Sequence, residues 1–504
     1  MAFHDTLVYI NSTVESISAQ FIRIPGSAIV LRYVRSSYQN DPMRSFLELC
    51  LFLFAVRYFL ASKYSFAKKD FIKLSTKEVD DLVHEWTPEP LVAPLDETDQ
   101  TEVEKIPVII GISGPKVKLS TGKSVMNLAS FNMLNLLGNE QIRERAIKTV
   151  REYGVGACGP SGFYGTQEVH IQTEKDISNF LRVPASIIYA QAFNTITSTI
   201  PAFAKRGDII VADSAIALAI QKGILISRST IRWFQHNDMD DLERVLQQVH
   251  KDFKGQPLTR RFIVTEGLFE NCGDIADLPK ILELKYKYKY RLILDESCSI
   301  GVLGKTGRGL TEYYNIPATE IDMIVGSLAT TMCAGGGFCA GSEYVVSHQR
   351  ISGNGYVFSA ALPGYLAATA SESMSIMQSS PEIFTQLLSN TRAFRAIIDK
   401  MTYMYSPSDP DSPLIHLQLN PEVLESRKID DEDKFLQDVV DECIANGVLI
   451  SRNKVVQSQE VFPVESTLKI MITTGLTKRE TEKAAAVVKA AVSKVMSKVP
   501  KVKH

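Results

Sequence analysis

The sequence predicts an α/β protein with one large, mainly parallel sheet, followed by a smaller α+β domain. Short apolar runs alternate with longer amphipathic stretches between residues 187 and 341, which is typical of a parallel sheet covered by helices on both faces. After residue 400 the pattern changes to a few strands and one final helix. A chain of 504 residues also has room for a large core domain and one or two smaller pieces.

The individual elements follow from the period of the apolar residues. In the large domain, placed at 106–400, strands are predicted over 187–190, 208–212, 231–235, 261–265, 291–295, 322–328 and 337–341. Helices are predicted over 171–182, 214–225, 239–253 and 277–288, and a long helical region around 361–400. The small domain, placed at 401–504, is predicted to contain strands 414–419, 447–456 and 467–473 and helix 477–496.

The N-terminal part differs from the rest of the chain. Residues 46–61 form its longest apolar run, and we predict a transmembrane helix over 46–62 rather than a buried core helix. Residues 1–45 form a candidate interfacial segment, in which residues 21–35 mix apolar and basic side chains. Residues 63–105 are a predicted linker, rich in proline and acidic residues towards its end. Basic residues on the two sides of the run balance, so the orientation stays open.

The composition argues against several classes of function. A net charge of -2 and the lack of basic blocks speak against binding to nucleic acid. The seven cysteines are scattered without a CxxC pair, and the eight histidines show no HExxH spacing. We therefore predict neither a disulfide framework nor a metal site, and a reducing compartment fits best.

Seven glycine-rich or acidic segments stand in a characteristic order. They are YGVGACGPSGFYG at 153–165, GDIIVAD at 207–213, HND at 236–238, EGLFENCGD at 266–274, LDESC at 294–298, GSLATT at 326–331 and FSAALP at 358–363. Together they resemble the α-oxoamine synthase family, whose members condense an amino acid with an acyl-CoA on pyridoxal phosphate. The resemblance implies the type I pyridoxal-phosphate, aminotransferase-like fold, with a large α/β domain and a small C-terminal domain acting as a dimer.

The chain differs from this family at the positions that contact or bind the cofactor in catalytic relatives. The resemblance places the cofactor-binding lysine at Thr330, and no lysine occurs between Lys305 and Lys400. Ala217 and Cys298 stand at two histidine positions that contact the cofactor in catalytic relatives. Because this chemistry requires a lysine amine, we expect no catalytic residue in this chain and expect a partner to bind pyridoxal phosphate covalently.

One acid of the family motif is retained. Asp295 matches the carboxylate that pairs with the pyridine nitrogen in active relatives, although a strand-end aspartate kept for the fold is the simpler interpretation. Retention of the scaffold without the lysine implies a degenerate subunit that stabilises a lysine-bearing paralogue. One family member is built this way, and its degenerate subunit also carries an N-terminal membrane helix and a W-x-P-E-P-L linker, here residues 86–91.

The expected reaction is the condensation of L-serine with palmitoyl-CoA to 3-oxosphinganine, the first step of sphingolipid biosynthesis. The resemblance also implies a small activating subunit, Orm-family regulators and membrane lipid as partners. The expected location is the endoplasmic reticulum membrane, with the large domain in the cytosol. Two alternatives stay open: a self-sufficient α-oxoamine synthase, or a non-enzymatic membrane scaffold or regulator.

The resemblance further implies a site shared between two subunits. Phe358, Ser359 and Ala360 match the segment that reaches the cofactor phosphate of the other protomer, and a hydroxyl with free backbone N–H groups suits a phosphate. The glycine loop around Cys158 and Tyr164 would complete the partner's site beside this segment. The alternative is that these residues only pack the interface.

Overall fold

The computed structural model describes residues 26–60, 74–92, 94, 100, 103–427, 429 and 431–500. It divides the chain into two compact units, Met1–Thr101 and Glu102–His504. The first 25 residues of the candidate interfacial segment lie outside the described residues. The described part of the first unit includes the helices α1 (Ser27–Asn40), α2 (Pro42–Leu60) and α3 (Thr76–Glu85).

Helix α2 forms in the predicted apolar run, but the predicted transmembrane helix over 46–62 is not supported. In the part of the chain that the structure describes, no helix combines the length and the apolar character needed to cross a membrane. The physical reason is that the 19 residues of α2 include the charged side chains of Arg44, Glu48 and Arg57. Asp41 caps the helix start, where its Oδ1 accepts hydrogen bonds from the backbone N–H groups of Met43 and Arg44, both at 3.1 Å.

Helix α3 lies inside the predicted linker. Its start carries a capping box, in which the Ser75 hydroxyl accepts from the backbone N–H of Glu78 and the Glu78 carboxylate accepts from the N–H of Ser75. No residue of α3 is buried. The predicted linker is therefore helical over 76–85, where a local capping motif rather than core packing favours the helix.

The second unit begins with three short strands that the sequence pattern did not predict. They pair in the order β1-β2-β3, antiparallel to one another, and two helices follow. The elements are β1 (Ile109–Ile110), β2 (Lys116–Leu119), β3 (Ser124–Asn127), α4 (Glu140–Tyr153) and α5 (Glu168–Leu181).

The large sheet confirms the predicted α/β architecture. Its strands are β4 (Ala185–Tyr189), β5 (Ile209–Asp213), β6 (Thr230–Phe234), β7 (Arg261–Glu266), β8 (Arg291–Asp295), β9 (Met323–Ser327) and β10 (Gly337–Gly341). They lie in the order β4-β10-β9-β8-β7-β5-β6. All neighbours are parallel except β10, which runs antiparallel to both β9 and β4. The sheet is therefore mainly parallel, as predicted.

Helices lie between most of these strands, and four more helices follow the last strand, β10. They are α6 (Ala192–Phe203), α7 (Leu218–Ser227), α8 (Met239–Asp252), α9 (Leu278–Tyr288), α10 (Leu310–Tyr313), α11 (Glu343–Ser352), α12 (Asn354–Val357), α13 (Gly364–Ser379) and α14 (Glu382–Ile398). The inner strands β5 and β9 are buried at every position, which explains their continuous apolar runs.

The C-terminal part forms the predicted α+β arrangement. Its elements are β11 (Met404–Tyr405), β12 (Leu414–Leu419), α15 (Pro421–Arg427), α16 (Glu432–Ala445), β13 (Val448–Leu449), β14 (Ser451–Arg452), β15 (Leu468–Met471) and α17 (Lys478–Lys498). One sheet has the order β11-β12-β15-β14. Strand β13 instead pairs in parallel with β3, with Val448 opposite Met126. Strand β13 thus adds to the separate sheet formed by residues 109–127, although these residues precede the large domain in sequence.

Candidate functional site

The carboxyl ends of the parallel strands bring the predicted site residues to one edge of the large sheet. Asp213, Glu266 and Asp295 are the last residues of β5, β7 and β8, and the 326–331 motif begins at the end of β9. In open α/β sheets this edge is where ligands bind. The topology therefore forms one cleft from motifs that are more than 100 residues apart.

Two buried carboxyl groups lie at the centre of this edge. Asp295 is 7% exposed, and its Oδ1 accepts a 2.8 Å hydrogen bond from the backbone N–H of Ser297. Burial raises the pKa of Asp295 to about 6. Glu266 accepts hydrogen bonds from the N–H groups of Ala217 (2.5 Å) and Glu270 (2.9 Å). Burial, together with the neighbouring Asp295, raises the pKa of Glu266 well above its ordinary value.

Thr330 occupies the position where the family resemblance places the lysine. Its hydroxyl donates a 2.9 Å hydrogen bond to the backbone carbonyl of Ser297, which is part of the turn that follows β8. The neighbouring Thr331 likewise donates to the carbonyl of Ile300 at 2.7 Å. Both threonines therefore tie two loops of the sheet edge together. Thr330 offers a hydroxyl held by a structural bond, not an amine that could react with an aldehyde.

The two positions matched to histidines also lack a side chain that could make the histidine contacts with the cofactor. Ala217 lies at the start of α7 and presents only a methyl group, with its backbone N–H bound to Glu266. Cys298 is 6% exposed, and burial raises the pKa of its thiol well above the ordinary value, so the thiol stays neutral. Neither side chain offers an aromatic face or an imidazole proton.

A lysine from the C-terminal part, outside the interval between Lys305 and Lys400, reaches this cleft. Lys469, on β15, forms a 3.0 Å ion pair with Glu270 and lies 5.3 Å from the centre of the Phe131 ring. Its ammonium acts electrostatically on Cys298, which places its charge at the same site. The sequence feature that marks it is a cation within an otherwise apolar strand, Leu468–Met471.

A buried, neutral histidine lies beside Lys469. This residue is His416. Burial and the nearby charge of Lys469 lower the pKa of His416 to about 3, so its imidazole is neutral. Its Nε2 donates to the carbonyl of Glu270 at 3.0 Å, and its Nδ1 accepts from the Thr467 hydroxyl at 2.8 Å. Because Lys469 is held by a carboxylate, it is an ion-pair partner and a poor nucleophile in this arrangement.

These residues fit pyridoxal phosphate only in part. Asp295 supplies a carboxylate at the position expected to face the pyridine nitrogen, but Thr330 and Ala217 supply neither the amine nor the ring contact. Beside them lie the buried carboxyl group of Glu266 and the ion pair between Lys469 and Glu270. The edge therefore agrees with the expected cofactor site at Asp295 and differs from it at Thr330 and Ala217.

The structure joins the glycine loop to the 358–363 segment. Pro160 forms a β-bridge with Ala360, and the N–H of Ala361 donates to the carbonyl of Gly159 at 2.9 Å. His170, whose pKa is lowered by burial, donates from Nε2 to the carbonyl of Leu362 at 2.6 Å. Cys158 adopts a positive φ of 52°, which bends the loop at its centre. The two segments thus form one structural unit.

This unit presents apolar side chains to solvent. Tyr164 is 96% exposed, Phe358 and Val155 are 77% exposed, and Phe163 is 63% exposed. Ser359 lies between Phe358 and Ala360, and within the described chain no group forms a hydrogen bond with its hydroxyl. Large apolar side chains clustered in this way are typical of a surface that another protein covers. We refer to residues 154–165 and 358–361 as the loop surface.

Among the described residues, no group of three or more His, Cys, Asp or Glu side chains is arranged to hold a metal ion. The seven cysteines are free thiols, and Cys50 and Cys158 are the exposed ones.

Comparisons with known proteins agree with the architecture. The class I and II aminotransferase family model matches residues 123–488. "Serine palmitoyltransferase 1" of Saccharomyces cerevisiae is 38% identical, with 93% of this chain and 92% of that protein covered. "Long chain base biosynthesis protein 1" of Arabidopsis thaliana is 42% identical, with 69% of this chain and 71% of that protein covered. A high-resolution structure of SPT with PLP has the same fold, with a TM-score of 0.70 at 20% identity, over 79% of this chain and 96% of that one.

Proposed function

We propose a function on the premise that this chain belongs to the class I and II aminotransferase family and, within it, to the serine palmitoyltransferase 1 proteins. The chain is the non-catalytic subunit of a serine palmitoyltransferase. In this role it supports the condensation of L-serine with palmitoyl-CoA to 3-oxosphinganine, which begins sphingolipid biosynthesis. Pyridoxal phosphate, when bound, supplies the electron sink that stabilises the amino-acid carbanion.

The observation that carries the non-catalytic role is the engagement of Thr330. Its hydroxyl is bound to the carbonyl of Ser297, in the position where a catalytic subunit needs a free amine. Lys469, the lysine that reaches the cleft, is bound to Glu270. The scaffold around these positions is nevertheless intact, with a buried seven-stranded sheet. The fold is retained, but position 330 has no amine and the amine of Lys469 is paired. This combination supports a subunit that assists a lysine-bearing paralogue.

The loop surface is the proposed contact with that paralogue. Its exposed side chains include Tyr164 and Phe358, and the free hydroxyl of Ser359 stands among them. In the proposed heterodimer, Ser359 donates to the cofactor phosphate in the partner's site, while the loop around Cys158 closes that site. Phosphate oxygens are strong acceptors, so a hydroxyl with no competing partner suits this position. A small activating subunit and Orm-family regulators are proposed as further partners on the family resemblance alone.

The proposed location is the endoplasmic reticulum membrane, with residues 102–504 facing the cytosol. Support comes from α2, in which no residue is buried and which exposes side chains such as Phe46, Phe54 and Leu60. Exposed apolar side chains at this density need a lipid or protein environment. The free cysteines fit a reducing compartment.

Co-purification with a paralogue tests the proposal. The tagged chain is isolated from its own cells, its partners are identified by mass spectrometry, and the eluate is assayed with L-serine and palmitoyl-CoA. We expect a partner with a lysine at the position of Thr330, and turnover by the pair but not by this chain alone. Turnover by the isolated chain would instead indicate a self-sufficient synthase. Stable association with membrane proteins without any turnover would indicate a scaffold or regulator.

A further inference from the structure

A cysteine, a histidine and an aspartate form a linear arrangement next to the cofactor cleft. The Sγ atom of Cys272 lies 3.3 Å from Nε2 of His236, and Nδ1 of the same ring lies 3.0 Å from Oδ1 of Asp213. The three residues come from the turn after β7, the end of β6 and the end of β5. A nucleophile, an imidazole and an orienting carboxylate in this order are the components of an activated nucleophile.

The orienting carboxylate is firmly held. Asp213 is 1% exposed, and it accepts hydrogen bonds from the backbone N–H groups of Ala215 and Asn237, both at 2.8 Å. These bonds occupy both oxygens and fix the carboxylate, so Nδ1–H of His236 donates to a stationary acceptor. Nε2 is thereby directed at the thiol of Cys272.

The imidazole is held in the charged form as well as in position. Its ring packs edge-on against Phe269 with the ring centres 4.5 Å apart, and Asp274 places Oδ2 3.5 Å from Nε2. Burial opposes the charge on His236, but the hydrogen bonds to Asp213 and Asp274 outweigh it and raise the pKa of the ring to about 12. The ring is therefore placed as a hydrogen-bond partner of the Cys272 sulfur, which is the contact that an activated cysteine requires.

The cluster opens into an apolar cleft of about 630 Å³, a volume typical of small-molecule sites. The aromatic rings of Trp233 and Phe462 form part of its lining at a T-shaped contact of 5.3 Å, together with Pro407 and Val464. Charged side chains at this cleft include Arg244, which is paired with Asp241. The cleft therefore combines a nucleophile with a wall suited to a hydrocarbon chain.

We propose that Cys272, positioned by His236 and Asp213, is an acylation site that accepts the acyl group of a long-chain acyl thioester. The thiolate sulfur attacks the thioester carbonyl, and a new S–C bond forms at Cys272 as the S–C bond of the donor breaks. The coenzyme A leaves as a thiolate and takes a proton from solvent. The choice of an acyl-CoA as donor rests on the proposed function, whereas the reactivity of Cys272 rests on the geometry alone.

Reactivity is tested first, without any acyl-CoA. The full-length chain is treated with limiting iodoacetamide at pH 6.5, and alkylation of each cysteine is followed by mass spectrometry. Although Cys272 is only partly exposed, we expect it to react at least tenfold faster than the exposed Cys50 and Cys158, because a free thiol is almost wholly protonated at this pH. His236→Asn should remove this advantage, and His250→Asn, at an exposed position on α8, should not. Equal rates for the three cysteines in the wild-type chain would overturn the proposal.

Acyl transfer is tested on the same protein with palmitoyl-CoA and with acetyl-CoA. We expect one palmitoyl group on Cys272, released by neutral hydroxylamine, lost in Cys272→Ser and formed at least tenfold more slowly in His236→Asn. The apolar cleft predicts faster transfer from palmitoyl-CoA than from acetyl-CoA. If Cys272 is alkylated rapidly by iodoacetamide but is acylated by neither palmitoyl-CoA nor acetyl-CoA, its role as acyl acceptor is overturned.

These readouts need no catalytic partner. If Cys272 is acylated but the chain co-purifies with no paralogue, the proposed function is refuted and this inference stands. If the chain co-purifies with an active paralogue but Cys272 is not acylated, only this inference is refuted.

Discussion

At the scale of residues, the carboxyl groups of Glu296 and Glu312 have pKa values shifted in opposite directions because their surroundings differ. Glu296 is 1% exposed, and burial raises its pKa to about 7 although the N–H of Leu310 donates to it at 3.0 Å. For Glu312, hydrogen bonds from Thr306 and the N–H of Arg308 outweigh the effect of burial and lower its pKa. The two residues therefore affect stability in opposite ways as the pH changes.

Glu296→Gln should stabilise the fold at high pH. The raised pKa means that the folded state holds its proton more tightly than the unfolded state, so the charged side chain costs stability as the pH rises from about 4.5 to about 7. Glutamine removes that charge, and we expect a gain of roughly 1–3 kcal/mol at pH 8 that vanishes near pH 4. Thermal unfolding of residues 102–504 across this pH range measures the difference.

Glu312→Gln is the matched control, with the opposite sign. Its lowered pKa means that the ionised carboxylate stabilises the fold above the unfolded pKa and that this contribution is lost as the pH falls. We expect the variant to be destabilised at pH 7 and nearly neutral at acid pH. A parallel response of the two variants would show that burial does not set the charge of Glu296.

The isolated chain should form no covalent bond with pyridoxal phosphate. Thr330 has no amine, and Lys469 is held as an ammonium by Glu270. Borohydride reduction with the cofactor, followed by peptide mass spectrometry, should reveal no stoichiometrically labelled lysine. Thr330→Lys alone should not restore synthase activity, because Ala217 and Cys298 still provide no imidazole. A stoichiometric label on Lys469 in the folded wild-type chain would contradict this prediction, and Lys469→Ala would identify it.

At the scale of elements, the glycine loop depends on close backbone contact. A Cβ atom added at Gly165 would lie 2.0 Å from the carbonyl oxygen of Gly159, closer than real atoms approach. This contact lets the loop fold back and pair Pro160 with Ala360. The loop surface is thus one unit, and a substitution can disturb either its shape or a single contact with the partner.

Ser359→Ala should separate the two roles proposed for the loop surface. The change removes one hydroxyl and little volume, so a packing role predicts normal assembly, cofactor retention and turnover. A bond to the cofactor phosphate predicts an intact heterodimer with about tenfold or more weaker cofactor affinity, since such bonds contribute roughly 1.5–3 kcal/mol. Cofactor titration of the purified pair measures this.

Gly165→Ala serves as the contrasting variant for that experiment. It distorts the loop and should weaken assembly with the partner, as seen by co-purification, whereas Ser359→Ala should not. Wild-type affinity and rate in the Ser359→Ala pair would refute the trans-site role.

At the scale of the whole molecule, the division into two units predicts separable properties. Residues 102–504 form a compact unit with its own core, while α2 in the first unit buries none of its side chains. A chain that starts at Lys105 should therefore fold, with a thermal transition close to that of the full chain, and should leave the membrane pellet when expressed without its partner. Fractionation by centrifugation tests this. Retention of the shortened chain in the pellet would place the membrane attachment elsewhere.

The sequence alone determined the main sheet and the absence of a lysine at position 330. The runs that became β5 and β9 are apolar because every residue in them is buried, so periodicity and length identified both strands. Thr330 was recognised because the motif around it is continuous in the chain. Apolar runs and continuous motifs depend only on residues that are neighbours in the chain, so they can be recognised without knowing how the chain packs.

Only the tertiary structure decided which side chains meet. Lys469 reaches Glu270 across 199 residues, and Val448 of β13 pairs with Met126 of β3 within one sheet, although these strands are far apart in the chain. Cys272 and His236 stand in different motifs, and they meet because parallel strands β6 and β7 flank β5 and end at the same edge. Proximity between distant strand ends depends on strand order, which hydrophobic periodicity does not encode.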